Sequence, residues 1–295
     1  MTGAPWRLAF LARHALPEGY LDTARRYFDP LAARLARQAG GTRSLLVGIN
    51  GSQGSGKSTL CEYLCAALER QHGLSAIALS LDDFYLTRGE RAALARSVHP
   101  LLRTRGAPGT HDMRLLGDTL SALAGPARSA LAVPRFDKAS DDRAPAAQWT
   151  RVQAPPRVVL LEGWCLGARS VPEPVLNVPV NEFEAGEDER GIWRRHSNRA
   201  LAAHFEPLYA RIDCWVMLAA PGFERVLDWR REQEAKLRAR RGSGAGLMDE
   251  RALRRFVAHF ERYTRQCLSE LPERVDVLLQ LDADRHIIEA RGLES

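Results

Sequence analysis

Residues 44–59 constrain this chain more than any other stretch. Ser44-Leu45-Leu46-Val47-Gly48-Ile49-Asn50 is a short apolar run with β-branched members, the pattern of a buried strand. It runs directly into Gly51-Ser52-Gln53-Gly54-Ser55-Gly56-Lys57-Ser58-Thr59, which matches G-x-x-x-x-G-K-[ST] without a mismatch. Leu60, Leu64 and Leu68 then recur at helical spacing, with Cys61 and Cys65 beside them, and Gly73 offers a stop. A glycine-rich turn between a strand and a helix N-terminus gathers backbone N–H groups around an anion. Gly51, Ser52, Gln53, Gly54, Ser55, Gly56, Lys57, Ser58 and Thr59 are therefore expected to cradle a phosphate chain. In that cradle Lys57 reaches the β- and γ-phosphates and the Ser58 hydroxyl ligates Mg2+. A chance glycine-rich turn would share the composition but not the full pattern in this setting.

Further apolar runs follow at intervals suited to strands: 76–81, 158–161, 214–218 and 275–281. Helical patterns separate them, among them 113–124, 194–209, 223–241 and a segment opened by Asp249 or Glu250 with Leu253, Phe256, Val257, Phe260 and Tyr263 on one face. Strands alternating with helices predict an α/β fold, a mostly parallel sheet with helices on both faces. Residues 18–39 read as a broken helical stretch, with Asp29-Pro30 as cap and first helical position and Gly40-Gly41 as its end. Residues 168–190, rich in proline and acidic groups, read as an irregular surface excursion. With no repeat and no linker, 1–295 is read as one domain, with a helical appendage over 1–43 of no legible role.

In a parallel sheet, ligands bind at the carboxyl ends of the strands. The glycine loop, Asp82 after 76–81, and Glu162 after 158–161 all fall there. Phosphoryl transfer needs phosphate positioning, a metal and a group that orients or deprotonates the nucleophile. Glu162 suits Mg2+, directly or through water. Asp82 is the choice for the base, because alternation along an extended chain sends Asp83 to the opposite side, where it can cap the next turn. His111, Asp112, Arg135, Asp137, Lys138 and Arg143 lie in loops suited to an acceptor, although each also fits an ordinary solvated or structural role. Phe84, Tyr85, Phe136 and Trp164 are candidates for stacking on a base. The segment 223–247 combines an arginine-rich helix with Gly242-Ser243-Gly244-Ala245-Gly246 and reads as a lid with few apolar anchors. Arg230, Arg231 and Arg238 are its candidate phosphate contacts, each weighed against a plain exposed charge.

The formal net charge is +6. A basic excess suits nucleic acid or small anionic substrates, and no helix-turn-helix, zinc-finger or aromatic RNA-binding signature accompanies it. Cys61, Cys65, Cys165, Cys214 and Cys267 form no C-x-x-C pair and read as reduced, packed thiols of a cytoplasmic protein. No run of about 18 apolar residues is present, so no membrane span is expected. Arg7, Arg13 and His14 interrupt the apolar residues near the N-terminus, which lacks a signal-peptide core.

Taken together, 51–59, Ser80-Leu81-Asp82-Asp83-Phe84-Tyr85-Leu86-Thr87, Arg105-Gly106 with Gly109-Thr110-His111-Asp112, Pro134-Arg135-Phe136-Asp137-Lys138 and Leu161-Glu162-Gly163-Trp164-Cys165-Leu166-Gly167 carry a family likeness. The set resembles plant-type D-glycerate 3-kinase and its bacterial and fungal relatives, P-loop kinases similar to the uridine kinase, phosphoribulokinase and pantothenate kinase group. The likeness runs from about 44 to 282. It implies a P-loop NTPase fold with a helical lid, ATP and Mg2+ as cofactors, and γ-phosphate transfer to a hydroxyl of a small acidic acceptor, D-glycerate first. It further implies that Asp82 activates the acceptor hydroxyl, that Glu162 sits near Mg2+, and that 223–247 is the mobile lid. The stretch from Asp137 to Arg143 is shorter than the glycine-containing loop of the plant-type enzymes. A uridine- or pantothenate-like acceptor, or a regulator that hydrolyses ATP slowly, are the competing readings.

Overall fold

The computed structural model describes residues 5–125, 130–152, 155–241 and 249–293, with no side chain described at 233 or 236–241. In chain order the strands are β1 (Leu45–Gly51), β2 (Ala76–Ser80), β3 (Leu131–Val133), β4 (Phe136–Asp137), β5 (Asp142–Arg143), β6 (Thr150–Val152), β7 (Val158–Gly163), β8 (Cys214–Ala219), β9 (Val277–Leu281) and β10 (Ile287–Arg291). Among the described residues, six of them form one sheet in the order β10-β9-β8-β1-β7-β2. All its neighbours run parallel except β10, which closes the edge antiparallel to β9. β1 and β7 are buried throughout, as central strands covered on both faces must be. β3 with β6 and β4 with β5 make two small antiparallel ribbons beside the sheet.

The register places the chemistry. Ile49 and Ser80 flank Glu162 on either side, so the carboxyl ends of β1, β7 and β2 lie level. From the end of β1 the chain turns into the helix Lys57–His72, which buries Leu60, Cys61, Tyr63, Leu64, Ala67 and Leu68 against the sheet. Gly73, at φ 65°, ends that helix as expected, and Leu74 N–H bonds Leu68 O at 3.0 Å.

Three readings of the sequence change. Asp29-Pro30 does not start a helix: Tyr20–Thr23 continues through a π-helical turn, Ala24–Phe28, into Asp29–Gln38. The Asp29 carboxylate instead accepts from Arg7 (2.5 Å), Tyr63 Oη (2.9 Å) and Gln71 Nε2 (3.0 Å), which fastens this layer to the helix Lys57–His72. The excursion 168–190 contains a 3-10 turn, Glu173–Asn177, and a helix, Glu182–Glu187, whose buried Glu184 accepts from Arg262 at 2.8 and 2.5 Å. Finally, β10 lies beyond the last strand expected; as an edge strand it leaves Ile288 in solvent, so its sequence lacks a buried strand's apolar run. The five cysteines are free thiols, and no described helix is long and apolar enough to cross a membrane.

Candidate active site

The glycine loop is shaped by residues that tolerate left-handed backbone. Gly54 has φ 81° and Gly56 φ 92°, a region costly to side chains with a Cβ. The hydroxyls of Ser52 and Ser55 are buried here without a hydrogen-bond partner in the protein. Leaving such a group unsatisfied costs about 1–3 kcal/mol. Two orphaned hydroxyl donors in a glycine loop at a helix N-terminus fit a phosphate, which would restore their bonds. Asn50, at the end of β1, donates to Leu166 O at 2.7 Å and Trp164 O at 3.3 Å, tying the loop to the end of β7.

Lys57 and Ser58 open the helix beyond the loop. Ser58 Oγ donates to Glu162 Oε1 at 2.9 Å, and Lys57 Nζ stands 3.7 Å from Glu162 Oε2. A hydroxyl and a carboxylate oxygen side by side are hard donors of the kind Mg2+ takes, with few protein ligands and the balance from phosphate and water. Among the described residues, no group of three or more His, Cys, Asp or Glu is arranged to hold a metal without such help.

A cavity of about 370 Å3 adjoins this corner, with Lys57, Ser58, Asp82, Asp83, Lys138 and Glu162 on its walls. Asp82 and Asp83 both face it, which corrects the expected alternation. The backbone leaves β2 in a 3-10 turn, Leu81–Phe84, capped by Ser80 Oγ on Asp82 N–H at 3.3 Å, so consecutive side chains stay on one side. The two then diverge in their partners. Asp82 accepts from Tyr85 Oη at 2.9 Å and Lys138 Nζ at 2.7 Å. Asp83 accepts from Arg135 Nη1 at 2.7 Å and Phe136 N–H at 3.0 Å, and so anchors the ribbon of β4 and β5. Thr87, with Glu90, caps the following helix, a role left open for Asp83. Burial would raise the Asp82 carboxyl, but the charges of Lys138 and Lys57 and the bonds from Lys138 and Tyr85 outweigh it and hold it at about 2.

Of the acceptor candidates, Arg135 and Lys138 reach this cavity and the others do not line it. Arg143 donates to Asp112 at 2.9 Å and to Tyr85 O at 3.3 Å, while Asp112 caps the helix Met113–Ala124. His111 lies 4.5 Å from the Tyr85 ring and 5.6 Å from that of Phe205, and burial lowers its pKa to about 4. Asp137 is exposed and receives Ala139 N–H and Ser140 N–H, so it folds its own hairpin. Phe84, Tyr85, Phe136 and Trp164 are buried in mutual and core packing, and none lines the cavity.

The lid helix, Phe223–Arg241, is better anchored than expected, with Phe223, Val226 and Trp229 buried. Arg231 turns to Asp228 (2.8 Å) and Glu250 (2.5 Å), and Arg230 lies 5.3 Å from the Phe256 ring with Glu234 at 3.7 Å, so both arginines are engaged by the lid helix itself and by the helix Glu250–Ala258. The Arg238 side chain and residues 242–247 of the lid lie outside the described residues. Sequence reading missed Arg285, which follows β9 with φ 70° and donates to Gly54 O and Glu232 Oε2, both at 2.8 Å. Its place just past a strand's carboxyl end was the available signal.

A parallel sheet with a glycine loop at its centre, a helix-borne lysine behind it and carboxylates on two neighbouring strand ends defines a phosphate-transferring fold. No protein-family model matches the sequence. The chain is similar to "Uncharacterized kinase mug58" of Schizosaccharomyces pombe, 34% identical over 226 residues that cover 74% of this chain and 79% of that protein. It is also similar to chloroplastic D-glycerate 3-kinase of Arabidopsis thaliana, 30% identical over 263 residues, covering 83% of this chain and 54% of the plant protein. The solved D-glycerate 3-kinase of Cryptococcus neoformans shares the fold, with a TM-score of 0.73, 24% identity and coverage of 89% and 97% of the two chains. The chain belongs to the P-loop kinase family that includes plant D-glycerate 3-kinase and its fungal relatives.

Proposed function

We propose that this kinase transfers the γ-phosphate of ATP to a hydroxyl of a small acidic acceptor, D-glycerate first. The observation that carries the reading is Asp82, paired to Lys138 at 2.7 Å, on the cavity that also holds Lys57 and the Ser58–Glu162 corner. The glycine-loop amides and Lys57 hold the triphosphate. Ser58 and Glu162 would hold Mg2+, which neutralises charge on the β- and γ-oxygens when bound. Asp82 receives the acceptor hydroxyl as a hydrogen-bond donor. As the acceptor oxygen bonds to phosphorus and the bond to the ADP oxygen breaks, the hydroxyl proton passes to Asp82 and on to solvent. A carboxyl held near 2 is a weak base, so Asp82 acts first by orienting the hydroxyl. Lys138 and Arg135 are cations within reach of an acceptor carboxylate.

Two features favour an acid over a nucleoside acceptor. The cavity is small and has cations on its wall, and the aromatic side chains nearby are buried rather than presented for stacking. A small-molecule acceptor also accounts for the basic excess without nucleic acid, and the free thiols fit a reducing compartment such as the cytoplasm. The direct test is Lys57→Ala, which should abolish acceptor-dependent ADP release while leaving the thermal midpoint unchanged. An undiminished rate in the folded variant would falsify the phosphate role.

A further inference from the structure

The glycine loop separates two cavities. The one described above lies on the side of Lys57, Ser58 and Asp82. The other, about 660 Å3, lies on the side of Gly54, Gly56 and Thr59. Its floor is the carboxyl ends of β8 and β9, at Leu218 and Leu281, and one rim is the turn at Asp284 and His286. Its outer wall comes from the N-terminal layer: Leu16, Pro17, Tyr20 and Thr23. A nucleoside triphosphate whose terminal phosphate meets Lys57 extends its nucleoside along the loop away from the acceptor, toward this second cavity. Apolar walls with a few polar groups at the rim are what a flat heterocycle requires.

Resting on the ATP reading above, we propose that the N-terminal helical layer is part of the nucleotide site, and that Tyr20, Leu16 and Thr23 form the wall against which the adenine base and its ribose lie. The wall is held in place relative to the phosphates. Tyr20 packs between Phe10 (6.4 Å) and Phe28 (5.8 Å), and Phe10 and Phe28 both pack on Tyr63 of the helix that carries Lys57 (5.3 and 5.7 Å). The bonds of Asp29 to Tyr63 and Gln71 fix the same two layers together. The π-helical turn Ala24–Phe28 begins immediately after Thr23; such turns concentrate at functional sites, where they redirect side chains without ending the helix. Arg285 braces the opposite side, linking Gly54 O to Glu232 of the lid helix.

The test compares Mg2+-ATP with Mg2+-tripolyphosphate, which has phosphates but no base, by calorimetry on the full chain. Thr23→Phe fills the cavity from a helical position, and Tyr20→Leu removes the ring while keeping an apolar side chain in the core. Both variants should lose ATP affinity by about 10-fold or more, equivalent to about 1.4 kcal/mol, and keep wild-type affinity for tripolyphosphate. ATP binding at wild-type affinity in both variants would place the base elsewhere and overturn the proposal. Equal losses for the two ligands would also overturn it, because the layer would then act by supporting the loop. If the wild-type chain bound neither ligand, the kinase reading itself would fall, and this inference with it.

Discussion

At the scale of single residues, adjacent carboxylates divide the work by their partners. Asp82 keeps a face toward the cavity, whereas Asp83 is spent on Arg135 and the Phe136 amide. Asp82→Asn should therefore lower kcat by about 10²-fold with little change in ATP affinity, because the amide loses the charge that orients the acceptor hydroxyl and receives its proton. Asp83→Asn should raise the acceptor KM more than it lowers kcat, because it loosens the ribbon that carries Lys138. Steady-state kinetics separates the two, and a reversed pattern would shift the assignment by one residue. His111 gives a pH signature. Held neutral by burial, with a pKa near 4 against an ordinary 6.5, it binds a proton in the unfolded chain but not in the folded one between those values. Stability therefore rises with pH across that window and is lost on acidification, by about 2 kcal/mol between pH 7 and 5. Urea unfolding of His111→Phe should show a correspondingly smaller loss over that interval, although buried His259 contributes in the same direction in both proteins; equal losses would contradict the assignment. The meeting of Lys57, Asp82 and Glu162 on one cavity is legible in sequence because each sits at a strand end beside a strong motif. The divergence of Asp82 and Asp83 is not, because it depends on a 3-10 turn in place of extended chain and on Arg135, Phe136 and Lys138, distant in sequence.

At the scale of elements, the lid helix and the N-terminal layer both differ from what their sequences suggest. Arginines on several faces of 223–241 read as a loosely held helix, yet Trp229 is buried and donates to Ala283 O at 2.8 Å. The apolar anchors are too few to raise a helical periodicity but large enough to fix the N-terminal half. Hydrogen exchange should accordingly show amides of 226–231 protected in the free protein, and Trp229→Ala should cost about 3–5 kcal/mol in a denaturant titration. Free-state exchange as fast as that of an unstructured chain would refute the anchoring. The helical character of 18–39 was visible, but its function was not. The bonds of Asp29 and the packing of Phe10 and Phe28 on Tyr63 join segments distant in sequence, and no local pattern announces them.

At the scale of the whole molecule, the parallel order β9-β8-β1-β7-β2 sets the glycine loop at the centre, with the cavity of Lys57, Asp82 and Lys138 on one side and a larger cavity on the other. The alternation of strands and helices predicted this sheet, and the three strand-end motifs predicted that Lys57, Asp82 and Glu162 would meet at one edge. The proposed acid acceptor rests on Lys138 and Arg135, which reach the cavity from a short ribbon whose pairing the sequence does not signal. The proposed reaction is transfer to a small acid. It is tested most directly by incubating the protein with Mg2+-ATP and, in parallel, D-glycerate, pantothenate, uridine or ribulose 5-phosphate, and measuring ADP together with the mass of the phosphorylated product. ADP release should depend on D-glycerate, be matched one for one by a phosphoglycerate and far exceed that with uridine. ADP release that no acceptor stimulates, or that uridine stimulates in preference to D-glycerate, would contradict it.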